Sequence, residues 1–140
     1  MLWRLLLVSL SGLVLFSCSS AELTVEDARV RALVPGADKT VGYFSLSNQT
    51  GQVLTLVGAK AEGVRAIELH TTKADEQGFT RMRRLSEVTV RSGDTMIFTQ
   101  GGHHLMLFGV DGLDQSLQIS LQFKERDPLI VSFRTIGLLD

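Results

Sequence analysis

Two histidines and two methionines stand in one pattern: His70, Met82, and then His104-Leu105-Met106. Eleven residues lie between His70 and Met82, twenty-one between Met82 and His104, and a single leucine inside the last pair. Thioether sulfur and neutral imidazole are soft, uncharged donors, and such a set prefers Cu(I) to hard cations such as Mg²⁺ or Ca²⁺. Taken singly, each residue has an ordinary reading: a histidine on the surface, a methionine filling the core. Taken together, the four can hold one soft metal ion.

Donors drawn from three segments need a scaffold that brings them to one face. The chain supplies short strands. Leu23, Val25, Ala28, Val30 and Ala32 alternate loosely up to the turn at Pro35-Gly36, and residues 41–47 are rich in strand formers before the loop Asn48-Gln49-Thr50-Gly51. Segments 53–60, 66–70, 88–91, 95–99, 104–108, 117–123 and 129–133 continue the series, punctuated by Ser92-Gly93-Asp94, Gly101-Gly102 and Asp111-Gly112. Many short strands with frequent turns predict an all-β fold, an antiparallel β-sandwich or barrel.

Side chains alternate across a strand, so the donors can be assigned to faces. Ile67 and Leu69 form an apolar pair that leaves Ala66, Glu68 and His70 on the other side. Leu105 and Leu107 do the same for His104 and Met106. Met82 is flanked by Arg81, Arg83 and Arg84, where a core methionine is not expected. This basic stretch reads as a solvated loop. His103 falls on the face opposite His104, and Met96 sits within an apolar strand; both read as structural.

The N-terminus has a different character. One basic residue, Arg4, precedes the apolar run Leu5 to Phe16, which is shorter than the roughly 20 residues of a membrane span. That layout is a secretory signal. Ser17 before Cys18, with Leu15 three positions before the cysteine, resembles the lipobox of bacterial lipoproteins. The resemblance implies cleavage before Cys18, acylation of that residue, and a membrane contact made through the anchor alone. Residues 1–17 are then the signal peptide, 18–24 a tether and 25–140 the folded domain. Loss of Arg4 leaves 13 basic and 15 acidic groups, a formal charge of −2 that points away from nucleic acid. Cys18 is the only cysteine. Lipidated, it leaves no thiol for a disulfide, a thiolate–metal site or a nucleophile.

His70, Met82, His104 and Met106, at these separations, resemble the ligand motif of the PCuAC (DUF461) periplasmic copper chaperones. Further likenesses are Arg29-Val30-Arg31-Ala32, Gly42-Tyr43-Phe44-Ser45-Leu46-Ser47-Asn48, Ile67-Glu68-Leu69-His70 and Gly101-Gly102-His103-His104-Leu105-Met106-Leu107. The resemblance implies a cupredoxin-like β-sandwich that binds one Cu(I) through those four residues. It also implies delivery toward cytochrome c oxidase, to subunit II or through a Sco-type copper protein. Many members carry a methionine directly after the first histidine, where this chain has Thr71. A His- and Met-rich C-terminal tail that binds Cu(II) in some members has no counterpart before Leu138-Leu139-Asp140, so no dedicated Cu(II) site is expected. Ser19 resembles an outer-membrane sorting preference within the bacterial periplasm.

The expected role is carriage rather than catalysis. A blue-copper electron-transfer site would need a cysteine thiolate beside two histidines. A hydrolytic zinc site would need three His, Asp or Glu ligands and an open position, and His-Glu-x-x-His does not occur. A copper store or buffer, and a metal-free lipoprotein module in which the pattern is coincidence, are the alternatives.

Overall fold

The computed structural model describes residues 22–139, all in strands, turns and connecting segments. The expected signal peptide, residues 1–17, and Cys18 lie outside the described residues. Ten strands follow in order: β1 (Leu23–Arg31), β2 (Lys39–Asn48), β3 (Leu54–Lys60), β4 (Val64–Ala74), β5 (Thr80–Leu85), β6 (Val88–Val90), β7 (Thr95–Phe98), β8 (His103–Val110), β9 (Ser116–Phe123) and β10 (Leu129–Ile136). The first strand takes in Leu23 and Thr24, which the sequence had placed in the tether. Leu23 is buried and its partner is Asn48, so the apolar alternation of the fold starts there.

The strands make one sheet in the order β5-β4-β8-β7-β2-β1-β10-β9-β3-β6, with β8 also paired to β2. A further pairing of β4 with β3, at Ala59 and Ile67, brings the two ends of the sheet together and closes it into a barrel-like sandwich. Most pairs are antiparallel, as the pattern of turns predicted. The first and last strands, β1 and β10, instead run parallel, and β7 meets β8 in parallel at Phe98 and His103.

One face of the sheet fills the interior. Phe44, Phe98 and Phe133 are nearly inaccessible; Phe44 stacks on Phe98 at 4.2 Å and meets Phe133 edge-on at 5.6 Å. Leu46, Leu56, Leu69, Leu105, Leu107, Ile119 and Leu121 pack around them. Such aromatic pairs add about 0.5–1.5 kcal/mol beyond their burial.

Two irregularities shape the opposite face. A bulge between Glu26 and Arg29 shifts the β1 register and holds Asp27 at a φ of 51°. It keeps Leu23 and Val25 on the inner side together with Ala28 and Val30, which explains the three-residue gap in the alternation. The segment around Met82 is the second departure from expectation. Residues 80–85 form an edge strand, β5, and not a loop, because Thr80 to Leu85 pair residue for residue with β4. Its residues are mostly exposed, so no apolar alternation announces it.

Candidate metal centre

The central pair of the site is set by strand register. His70 of β4 stands opposite His104 of β8, and partners in register share a face. Their rings lie 5.8 Å apart. Two residues further along β8, Met106 faces Glu68 of β4 and Val41 of β2. Two residues along β4 in the other direction, Thr72 faces Met82 of β5. All four predicted donors therefore occupy the outer face of the β5-β4-β8 sheet, opposite Leu105 and Leu107. Along the strands, the two methionines flank the histidine pair on either side.

Their settings differ. His104 is only 3% exposed, more enclosed than a residue on the outer face of a sheet usually is. Together with Met82 it lines a cleft of about 360 Å³ whose walls also include Arg31, Val41, Tyr43, Thr72, Thr80, Gln100 and Gly101. His70 and Met106 adjoin His104 outside that wall and are half-buried. Met82 is 60% exposed on the edge strand. The site thus runs from an enclosed imidazole to an exposed thioether.

Hydrogen bonds fix which nitrogen of each imidazole is available. The Nδ1 of His104 lies 3.1 Å from the carbonyl of Gly102. A carbonyl only accepts, so the proton sits on Nδ1 and the lone pair on Nε2. His70 has the reverse arrangement. Its Nε2 lies 2.9 Å from a Glu68 carboxylate oxygen, which puts the proton on Nε2 and the lone pair on Nδ1. Both of these remaining atoms, His104 Nε2 and His70 Nδ1, are buried without a hydrogen-bond partner. An unmatched buried acceptor costs about 1–3 kcal/mol, so two on neighbouring rings call for an explanation. A ring with one nitrogen donating to an oxygen and the other exposing a lone pair is the usual state of a metal-ligating histidine.

The surroundings keep both groups in those states. The hydrogen bond from His70 holds the Glu68 carboxyl below its ordinary range; the Arg84 guanidinium, 3.5 Å away, adds to the effect, and burial works against it. Burial likewise lowers the pKa of His104, despite the opposing bond to Gly102. Its imidazole stays neutral to lower pH than a solvated one.

The sequence had singled out His70, Met82, His104 and Met106, and the fold places them on one face. It had not assigned Glu68 or Gly102 a part. Alternation already put Glu68 beside His70, but its bond to the ring depends on side-chain conformation. His103 lies on the inner face, opposite Thr71 and 5.8 Å from the Phe98 ring, away from the cleft. Met96 packs against the core. Among the described residues no three His, Cys, Asp or Glu side chains are grouped to hold a metal ion. The four residues that share the outer face are two imidazoles and two thioethers.

A family model described as "Putative lipoprotein LpqE-like" matches residues 23–134. A curated relative, "Putative lipoprotein Lxx21020" of Leifsonia xyli subsp. xyli, is 24% identical over 93 residues, 64% of this chain. That match spans 56% of the relative's own length. Among solved structures, the Cu(I) form of DR1885 from Deinococcus radiodurans superposes with a TM-score of 0.69 at 25% identity, covering 88% of this chain and 84% of that one. The copper-bound PCuAC domain from PmoF2 gives a TM-score of 0.70 at 15% identity, covering 85% and 96%. The all-β fold is that of PCuAC domains, cupredoxin-like as the sequence led us to expect.

Proposed function

The chain belongs to the LpqE-like family and has the PCuAC fold, and from that premise we propose that it is a lipid-anchored carrier of one Cu(I) ion. His70 through Nδ1, His104 through Nε2, and the sulfurs of Met82 and Met106 are the ligands. The observation that carries this reading is the pair of buried, unpartnered lone pairs on adjacent imidazoles. It is supported by the similar structures, which include a copper-bound PCuAC domain from PmoF2 and a Cu(I) form of DR1885.

Four neutral donors leave the bound ion its positive charge, and none is a thiolate. An acceptor bearing thiolates therefore draws the metal downhill, since an anionic soft donor binds Cu(I) more strongly than a thioether. The exposed Met82 marks the side from which an acceptor's donors enter as this protein's leave. No covalent bond to carbon, oxygen or nitrogen is made or broken, so the role is not enzymatic. The proposed acceptor is the copper centre of cytochrome c oxidase subunit II or a Sco-type protein. Cys18, outside the described residues, is the proposed lipid attachment, holding the carrier at the periplasmic face of a membrane, the outer membrane by the reading of Ser19.

Transfer can be measured directly. Cu(I)-loaded protein is mixed with a metal-free soluble fragment of subunit II, and the copper content of each is determined after separation. Carriage predicts that copper moves to the fragment. Copper retained by this chain in the presence of excess acceptor would instead identify a store.

A further inference from the structure

A second cleft adjoins the first and has the opposite chemistry. It encloses about 560 Å³ and is lined by Asp27, Arg29, Arg31, Tyr43, Thr99, Gln100, Arg134 and Ile136. Arg31, Tyr43 and Gln100 line both clefts. Three guanidiniums face this space with the single carboxylate of Asp27, which pairs with Arg29. Two positive charges are left over, in a protein whose mature chain is net negative. Strand register creates the cluster: Arg29 of β1 stands beside Arg134 of β10 and opposite Tyr43 of β2.

The cluster is held in place. The Arg29 and Arg31 guanidiniums lie 5.8 and 5.9 Å from the centre of the Tyr43 ring, within the range of cation–π attraction. Arg31 also donates through Nη2 to the Gln100 side-chain oxygen at 3.5 Å, while its Nε is buried with no partner. At the rim, Asp27 occupies a left-handed backbone conformation that a non-glycine residue adopts at a cost. Like charges gathered in a partly enclosed space repel, and an anion that accepts from several guanidinium forks relieves this. The volume lies within the range of small-molecule sites, about 300–1,000 Å³.

We propose that this arginine-lined cleft binds a small, free, multivalent carboxylate beside the metal centre. Planar guanidinium forks match carboxylates two bonds at a time, and Thr99 and Gln100 supply neutral polar contacts. Where the neighbouring cleft holds Cu(I), a step that rests on the reading above, the anion provides countercharge that four neutral ligands do not.

The test uses metal-free full chain in a zwitterionic detergent, so it stands apart from copper binding. Citrate is titrated calorimetrically, with sodium chloride of equal ionic strength as the control. The expected result is saturable citrate binding at one site per chain, with no such isotherm for chloride. Arg134→Gln, at an exposed position, should weaken it about tenfold, the scale of a lost charge-assisted hydrogen bond. Arg31→Lys, which keeps the charge and loses the fork, should weaken it as well, and Arg91→Gln, elsewhere on the surface, should not. Non-saturating heats, or equal affinity in the Arg134 and Arg31 variants, would overturn the proposal. So would tighter binding of a glutamate-rich peptide at equal carboxylate concentration, which would assign the cleft to an acidic protein partner.

Discussion

Each histidine of the pair has one nitrogen bound to an oxygen and the other buried with nothing to bind, and the two oxygens are of different kinds. The Gly102 carbonyl is backbone and fixed by the chain. Glu68 is a side chain, held ionised by His70 and Arg84 together, and it can be changed without altering a proposed ligand. Glu68→Gln keeps the shape but removes the charged acceptor that orients the His70 ring. Substitution of such an outer partner typically costs 10–100-fold in metal affinity, so about a tenfold loss of Cu(I) affinity is expected in a bicinchoninate competition. Unchanged affinity would show that His70 is not held for a metal by this carboxylate. At this scale the shared face of the four candidate donors was legible because soft residue types are few and alternation assigned their faces. The enclosure of His104 was not legible. It depends on Arg31, Val41 and Tyr43, which reach the cleft from strands remote in sequence.

The strands carry these residues, and polar side chains fix their ends, one buried and one exposed. Asn48 closes β2 and is fully buried. Its amide nitrogen donates to the carbonyls of Gln52 at 2.7 Å and Val90 at 2.9 Å, and its oxygen accepts from the Thr50 amide and hydroxyl. Asn48→Ala leaves those groups unmatched in the interior, and a loss of about 2–3 kcal/mol is expected from urea unfolding. Glu125 does related work at the end of the β3 ladder. Its carboxylate accepts the Thr55 amide hydrogen at 2.7 Å, and that bond lowers its pKa from 4.5. A carboxyl whose pKa is lower in the folded than in the unfolded state stabilises the fold above its unfolded value, and the benefit fades as pH falls through the folded one. The parent should therefore exceed Glu125→Gln in stability above pH 4.5 and converge with it in more acid solution, read from unfolding midpoints across that range. The β1 bulge could be read from the gap between Val25 and Ala28. Strand β5 could not, since an exposed edge strand buries neither face and is recognised only by its pairing with β4.

Across the whole molecule, closure of the sheet makes the interior and frees the outer face for chemistry. The stacked Phe44 and Phe98 with Phe133 fill the inside, so the strands that hold the donors are supported from behind. An all-β architecture followed from the spacing of turns. The parallel meeting of β1 with β10 did not, because pairing between the two ends of a chain leaves no local signal. The two clefts, one lined by donors for a soft cation and one by arginines, lie side by side on this face and share Arg31, Tyr43 and Gln100. The proposed Cu(I) site joins His104 and Met82 of the first cleft to His70 and Met106 beside it. Its most direct test is Cu(I) stoichiometry by bicinchoninate competition for the parent chain and for His104→Ala with Met106→Leu, circular dichroism confirming that both remain folded. One tightly held Cu(I) per parent chain and none in the double variant is the predicted result. The same stoichiometry and affinity in both would contradict the account.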